Sequence, residues 1–124
     1  GFSDTFFTYL NMAEKVKSIR GKDYEAPVVN STTVVAKTRE HYNCSTAQFM
    51  ELEDAGGSGT ITSHWKIRNA QDELMAGVVG VGYYTALTMA AFEDLGFYKA
   101  VYSKAETMKW GRDAGCSFLD GKCV

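Results

Sequence analysis

YYTALTMAAFEDL, Tyr83 to Leu95, followed by Gly96, is the stretch on which the fold turns. Its apolar residues run around most of a helical circumference, which marks a helix covered on nearly all sides and not an amphipathic surface helix. Gly96 stands where helices commonly close on a left-handed residue. A helix of this kind needs other elements around it. After Phe97 the chain is punctuated by Gly111, Gly115 and Gly121 and reads as loops held against a core.

Upstream, Ser3 or Asp4 is positioned to cap a helix with Phe6, Tyr9, Leu10, Ala13 and Val16 on one face, ending before Arg20-Gly21. GKDYEAPVVN, residues 21–30, reads as extended or irregular, because Pro27 biases Ala26 away from the helical region. A second helix is predicted from Ser31, its N-cap, to about Tyr42, with Val35, Thr38 and Tyr42 on one side and Lys37, Arg39 and Glu40 outward. STAQFMELED, residues 45–54, fits a helical turn or a short strand equally well. AGGSGTITS, Ala55 to Ser63, is a loop whose glycines allow close backbone approach. The sum is an α+β chain, mainly helical and rich in loops.

The 124 residues fit a single domain or part of a larger one, and 45% hydrophobic with 23% charged residues is the composition of a folded protein. The net charge of −2 and the scattered Lys and Arg residues give no basic stripe, so no nucleic-acid partner is expected. MAGVVGVGYY, Met75 to Tyr84, is about half of the roughly 20 residues a membrane helix needs, so no transmembrane segment is expected. The opening Gly1-Phe2-Ser3 has no starting Met and no targeting signal, which suggests a piece of a longer protein. Three cysteines, Cys44, Cys116 and Cys123, lack CxxC spacing; two of them can pair and strand the third. Sequons at Asn30 and Asn43 lean toward an oxidising compartment, with Asn30 the candidate glycosylation site.

SHWKIRNAQDELMAG, Ser63 to Gly77, holds the candidate chemistry. On residues alone His64 has three readings: a packed or surface histidine, a proton shuttle with Asp72 or Glu73, or a metal ligand. Met75 reads as core filler or as a soft floor beneath a metal. Asp72-Glu73 and Glu93-Asp94 are adjacent pairs, which do not face each other on a helix, and read as a solvated turn and a helix end. His41, in REHYNC, occupies no motif position.

SHWKIRNAQDELMAG, GYYTALTMAAFEDLGFY and AGCSFLDGKC, with RGKDYEAPVVNSTT, VAKTREHYNC and LEDAGGSGTITSH, resemble the leishmanolysins, the trypanosomatid surface metallopeptidases of the metzincin clan. The resemblance covers nearly the whole chain. It implies the C-terminal part of a metzincin catalytic domain, starting at the glycine after the HExxH helix. Residues 1–63 would be the family's insertion after that glycine. Residues 64–124 would hold the third zinc ligand, the Met-turn, the buried helix and the C-terminal loops. It further implies His64 as a ligand of Zn2+, Met75 as the Met-turn methionine, and Val78, Val79 and Gly80 as the wall of an apolar substrate pocket. Cys44 would pair with Cys116, while Cys123, unpaired in this chain, would bond to a downstream domain.

The complete protein would then be a zinc metalloendopeptidase acting on protein or peptide substrates at the cell surface or as a secreted glycoprotein. The upstream HExxH segment would supply two ligands and the general-base glutamate. No HExxH occurs within residues 1–124, so the isolated chain would be inactive. The family commonly has proline where Gly77 stands, and glycine implies a looser turn. The alternative is a glycosylated surface module for adhesion or partner binding, without catalysis.

Overall fold

A computed structural model describes residues 2–122. The order of elements is α1 (Asp4–Tyr9), β1 (Ala13–Val16), β2 (Ala26–Val29), α2 (Thr32–Tyr42), β3 (Met50–Glu51), α3 (Ile67–Ala70), α4 (Ala86–Asp94) and α5 (Cys116–Asp120). Short 3₁₀ turns lie at Ile19–Gly21 and Tyr102–Lys104. The strands form one antiparallel sheet in the order β1-β2-β3, which makes the fold α+β as expected.

The first helix departs from expectation. The Ser3 hydroxyl accepts from the Phe6 N–H, but the helix stops at Tyr9. Asn11 takes a left-handed conformation at φ 55°, and the N–H groups of Asn11 and Met12 return to the carbonyls of Thr8 (3.1 Å) and Phe7 (2.7 Å). Asparagine tolerates that conformation, and this double bond back into the last turn is a strong helix stop. Ala13 and Val16 then pair as strand residues with Val29 and Ala26. The buried side chains are Phe2, Phe7 and Met12, while Phe6, Tyr9 and Leu10 face solvent. Strand pairing with a segment more than ten residues away outweighs a helical spacing that was never continuous.

Helix α2 forms over the expected residues, burying Val34, Thr38 and Tyr42, with Val35 only partly covered. Ser31 stands at the N-cap, yet its buried hydroxyl has no hydrogen-bond partner. The cap is supplied from the far end of α4, where Asp94 Oδ2 accepts from the N–H groups of Thr33 (2.9 Å) and Val34 (3.1 Å). A carboxylate at a helix N-terminus satisfies orphan donors and complements the helix dipole. Helix α4 starts after Thr85, whose hydroxyl accepts from Leu87 N–H at 3.2 Å, and closes on Gly96 at φ 90°. It buries Leu87, Thr88, Met89, Ala90 and Ala91, as its composition predicts.

Trp65, fully buried, lies at the centre of the core beside Phe2 (4.8 Å between ring centres), with Phe7, Val34, Leu87 and Met108 in the same cluster. Cys44 and Cys116 form a disulfide with a sequence separation of 72. Closing such a loop restricts the unfolded chain by about 4 kcal/mol in the chain-entropy account. Two arginines hold the segment after the bridge: Arg68 donates to the carbonyls of Phe118 and Gly121 (both 2.6 Å), and Arg20 donates to Leu119 (2.8 Å). Cys123 lies outside the described residues. No helix among them is long and apolar enough to cross a membrane.

The remote cap gives a direct test of how α2 and α4 are joined. Asp94→Ala is expected to destabilise the protein by about 1 kcal/mol, the usual cost of a lost N-cap. Denaturant unfolding measures it, and an unchanged midpoint would show that the Ser31 hydroxyl or water does the capping.

Candidate metal centre

His64 sits on a short extended segment clamped from both sides. On one side it continues the sheet: Lys66 N–H donates to the Glu51 carbonyl (3.0 Å) and Glu53 N–H donates to the His64 carbonyl (2.9 Å). On the other, Trp65 pairs in parallel with Ala76, and its N–H donates to the Met75 carbonyl (2.8 Å). One residue back in each segment are His64 and Met75, so they lie side by side. Phe2 N–H donates to the Ser63 carbonyl at 2.5 Å, which brings the start of the described chain next to His64.

The His64 ring is held by one nitrogen. Nδ1 is 3.0 Å from Ser63 Oγ and 3.3 Å from the Thr60 carbonyl. A carbonyl can only accept, so the bond to Thr60 is made by the Nδ1–H tautomer, in which Nε2 has the lone pair. Among the described residues Nε2 makes no hydrogen bond. This is the tautomer a metal-binding histidine needs, with the outer nitrogen engaged by a carbonyl. The residues fit one corner of a metal site. Among the described residues, no three of His, Cys, Asp and Glu stand close enough to form a metal site by themselves.

The turn at Met75 is fixed by Glu73, which was expected in a solvated turn and is fully buried. Its Oε2 accepts from Met75 N–H (2.5 Å), while Oε1 accepts from the hydroxyls of Thr85 (3.0 Å) and Thr88 (2.5 Å) and from Thr85 N–H (3.3 Å). Burial pushes the Glu73 pKa up by more than these donors, Thr88 foremost, pull it down. One signal in the sequence pointed here: Thr85 and Thr88 are spaced i, i+3 at the start of an apolar helix, and buried hydroxyls need partners. Gly77 ends the turn against the loop, where a Cβ would stand 2.6 Å from Thr60 Cγ2.

His64, Glu73, Leu74, Ala76, Gly77, Val78, Val79, Gly80 and Gly82 line an open concavity of about 260 Å³. Val78, Val79 and Gly80 line it together with His64, and Leu74, Val78 and Val79 expose apolar surface there. His41 is elsewhere: Nε2–H donates to the Trp110 carbonyl at 2.9 Å, and burial holds its pKa below the usual imidazole value against that bond. Asn30 is partly exposed, with its N–H bonded to the Met12 carbonyl, and Asn43 is exposed at the end of α2.

The arrangement is that of an α+β unit in which His64 pairs alongside a hydrogen-bonded turn at Met75. The leishmanolysin family profile matches residues 1–124. The chain is 66% identical over its full length to a leishmanolysin homologue of Crithidia fasciculata, covering 19% of that protein. It is 56% identical over its full length to leishmanolysin of Leishmania major, covering 21% of it. With the leishmanolysin-like peptidase of Drosophila melanogaster it shares 38% identity over 109 residues, 86% of this chain and 16% of that one. The chain therefore belongs to the leishmanolysin family, and it spans about a fifth of the length of the curated trypanosomatid relatives it matches.

The segment around His64 is tethered by a cluster of charges. Lys66 pairs with Asp54 and with Glu53 (3.2 Å), Lys22 pairs with Asp54 (2.6 Å), and Glu53 Oε2 accepts from Ile67 N–H (3.0 Å). Burial pushes the Asp54 carboxyl up, but the hydrogen bonds and charges of Lys22 and Lys66 outweigh it and hold it well below the ordinary range. A depressed acid stabilises the fold above its unfolded pKa, and the contribution is lost as pH falls through the folded value. Thermal unfolding temperatures should therefore drop as pH falls below about 4, the ordinary carboxylate value. Lys66→Met should flatten that acid slope; parallel pH profiles for wild type and variant would contradict the assignment.

Proposed function

We propose that residues 1–124 are the C-terminal part of the catalytic unit of a zinc metalloendopeptidase, with His64 as the third protein ligand. The observation that carries this reading is the bond from Phe2 to Ser63. An upstream HExxHxxG segment joined to Phe2 would arrive beside His64, which holds the Thr60 carbonyl through Nδ1 and makes no hydrogen bond through Nε2 among the described residues. Residues 2–63 are then an insertion that leaves the active site and returns to it, and residues 64–124 complete the site.

His64 would hold the metal through Nε2, with two histidines from the HExxH segment, and the glutamate of that segment would be the general base. When bound, zinc supplies the Lewis acidity that makes water a nucleophile at neutral pH. This chain's own residues bind and orient. Ser63 and the Thr60 carbonyl keep His64 in one tautomer, and Met75 gives the ring a soft neighbour that does not compete as a ligand. Leu74, Val78, Val79 and Gly80 offer an apolar wall to the substrate residue beyond the scissile bond. Residues 1–124 alone, without HExxH, should not hydrolyse peptides.

The same reading includes a cell-surface or secreted location, a glycan at Asn30 and a bond from Cys123 to a domain downstream. The relatives named as leishmanolysins support the peptidase class, and the sequon and the Cys44–Cys116 bridge fit an oxidising compartment.

The test uses the full-length protein that carries these residues. Wild type should contain one zinc per molecule. His64→Ala should lose it and lower kcat/KM by more than about 100-fold, beyond the effect typical of an outer partner of a ligand. Stoichiometric zinc and undiminished hydrolysis in His64→Ala would end the reading. Binding to host proteins that survives zinc removal, with no hydrolysis in either state, would point to the adhesion module.

A further inference from the structure

We propose that Glu73 is the positioning residue of this metal site. The proposal rests on His64 as a ligand, and it concerns what fixes the ring. Trp65, the residue after His64, is held at two points, and both lead to the same carboxylate. Its backbone N–H donates to the Met75 carbonyl (2.8 Å), and Met75 N–H donates to Glu73 Oε2 (2.5 Å). Its indole Nε1–H donates to Thr88 Oγ1 (2.9 Å), which donates to Glu73 Oε1 (2.5 Å). The four bonds close a circuit that begins and ends on Trp65.

The donors in this circuit all point toward the carboxylate. An indole N–H only donates, so Thr88 Oγ1 accepts from Trp65, and its own hydroxyl donates to Glu73 Oε1. Leu87 N–H donates to Thr85 Oγ1 in the same way, so that hydroxyl also gives its hydrogen to Glu73. With Met75 N–H on the other oxygen, all the surrounding groups are donors and the carboxylate serves as acceptor on both sides. A glutamine cannot replace it without turning an amide N–H toward one of these donors. Among the described residues no Lys, Arg or His forms an ion pair with Glu73. Glu73 is thus a fully buried carboxyl group bonded by neutral donors alone, and the residue borders the same concavity as His64. Its burial carries a cost that a dication held by His64 would lower.

The role can be separated from plain stabilisation in the full-length protein, with Zn2+ affinity and the visible spectrum of the Co2+-substituted form as readouts. Glu73→Gln should weaken Zn2+ binding by about 10–100-fold and change the Co2+ band, as loss of an outer-shell partner does. Thr88→Val, which removes one hydroxyl at nearly constant volume, should weaken it about tenfold, and Thr88→Ser should restore it. Asp94→Ala, destabilising but remote from the turn, should lower the unfolding temperature and leave both metal readouts unchanged. Wild-type affinity and spectrum in folded Glu73→Gln and Thr88→Val would overturn the proposal while His64→Ala still abolishes binding. Unimpaired Zn2+ binding in His64→Ala would instead remove the ligand assignment beneath it.

Discussion

The burial of one indole sets the terms for the rest of the structure. Trp65 contributes the largest fully buried side chain, and burying a ring of that size is among the strongest stabilising steps available to a small core. The cost is its N–H, which must find an acceptor inside. Thr88 on α4 provides it, and the buried hydroxyl still has its own hydrogen to place on an acceptor. Glu73 is that acceptor. The apolar choice at position 65 therefore dictates a polar triad, and the triad fixes the start of α4 and the turn at Met75 together. His64 inherits its place because the residue after it cannot move.

This explains why a chain so rich in loops can hold a ring with precision. The segment from Ser63 to Lys66 is neither helix nor long strand, yet it is bonded to residues 51–53 on one side and 75–76 on the other. The stretch from Val78 to Val81 is exposed and apolar, with no bonds of this kind recorded across it. The bonded and unbonded parts of the candidate site are thus adjacent in sequence, parted at Gly77, where a Cβ would stand 2.6 Å from Thr60 Cγ2.

Legibility from sequence followed the range of the interactions. Helix α4, helix α2, the extended run at Pro27 and the loop from Ala55 were readable, since each is set by its own residues. Helix α1 was overrun, because nothing in Ala13 to Val16 announces a partner strand at Ala26–Val29, and a lone asparagine is a weak stop signal. The N-cap of α2 was placed at the right residue but credited to the wrong side chain, since Asp94 acts from 60 residues away. Arg20 paired with Glu51 across 31 residues is invisible for the same reason. His64 and Met75 were legible only through resemblance to a family. On residues alone a single histidine and a single methionine carry almost no signal, and Glu73 was hidden because two adjacent acids look like a solvated turn.

Of the buried glutamates beside the His64 segment, Glu53 and Glu73 are treated differently. Glu53 organises the approach to His64 and is neutralised within the chain: Lys66 pairs with it, and the N–H groups of Asp54, Ala55 and Ile67 complete its shell. Glu73 organises the turn at Met75 and receives only neutral donors. Were both purely structural, the cheaper arrangement would give each a cation, because a hydrogen-bonded but unpaired anion still bears its desolvation cost. The asymmetry has a physical use where a positive charge is to arrive from outside the chain. An internal lysine at Glu73 would repel a dication in the adjoining concavity, whereas a carboxylate with its geometry fixed by hydroxyls and amides leaves its field available. The fold thus pairs the acid that serves the loop with a lysine and surrounds the acid that serves the Met75 turn with neutral donors alone.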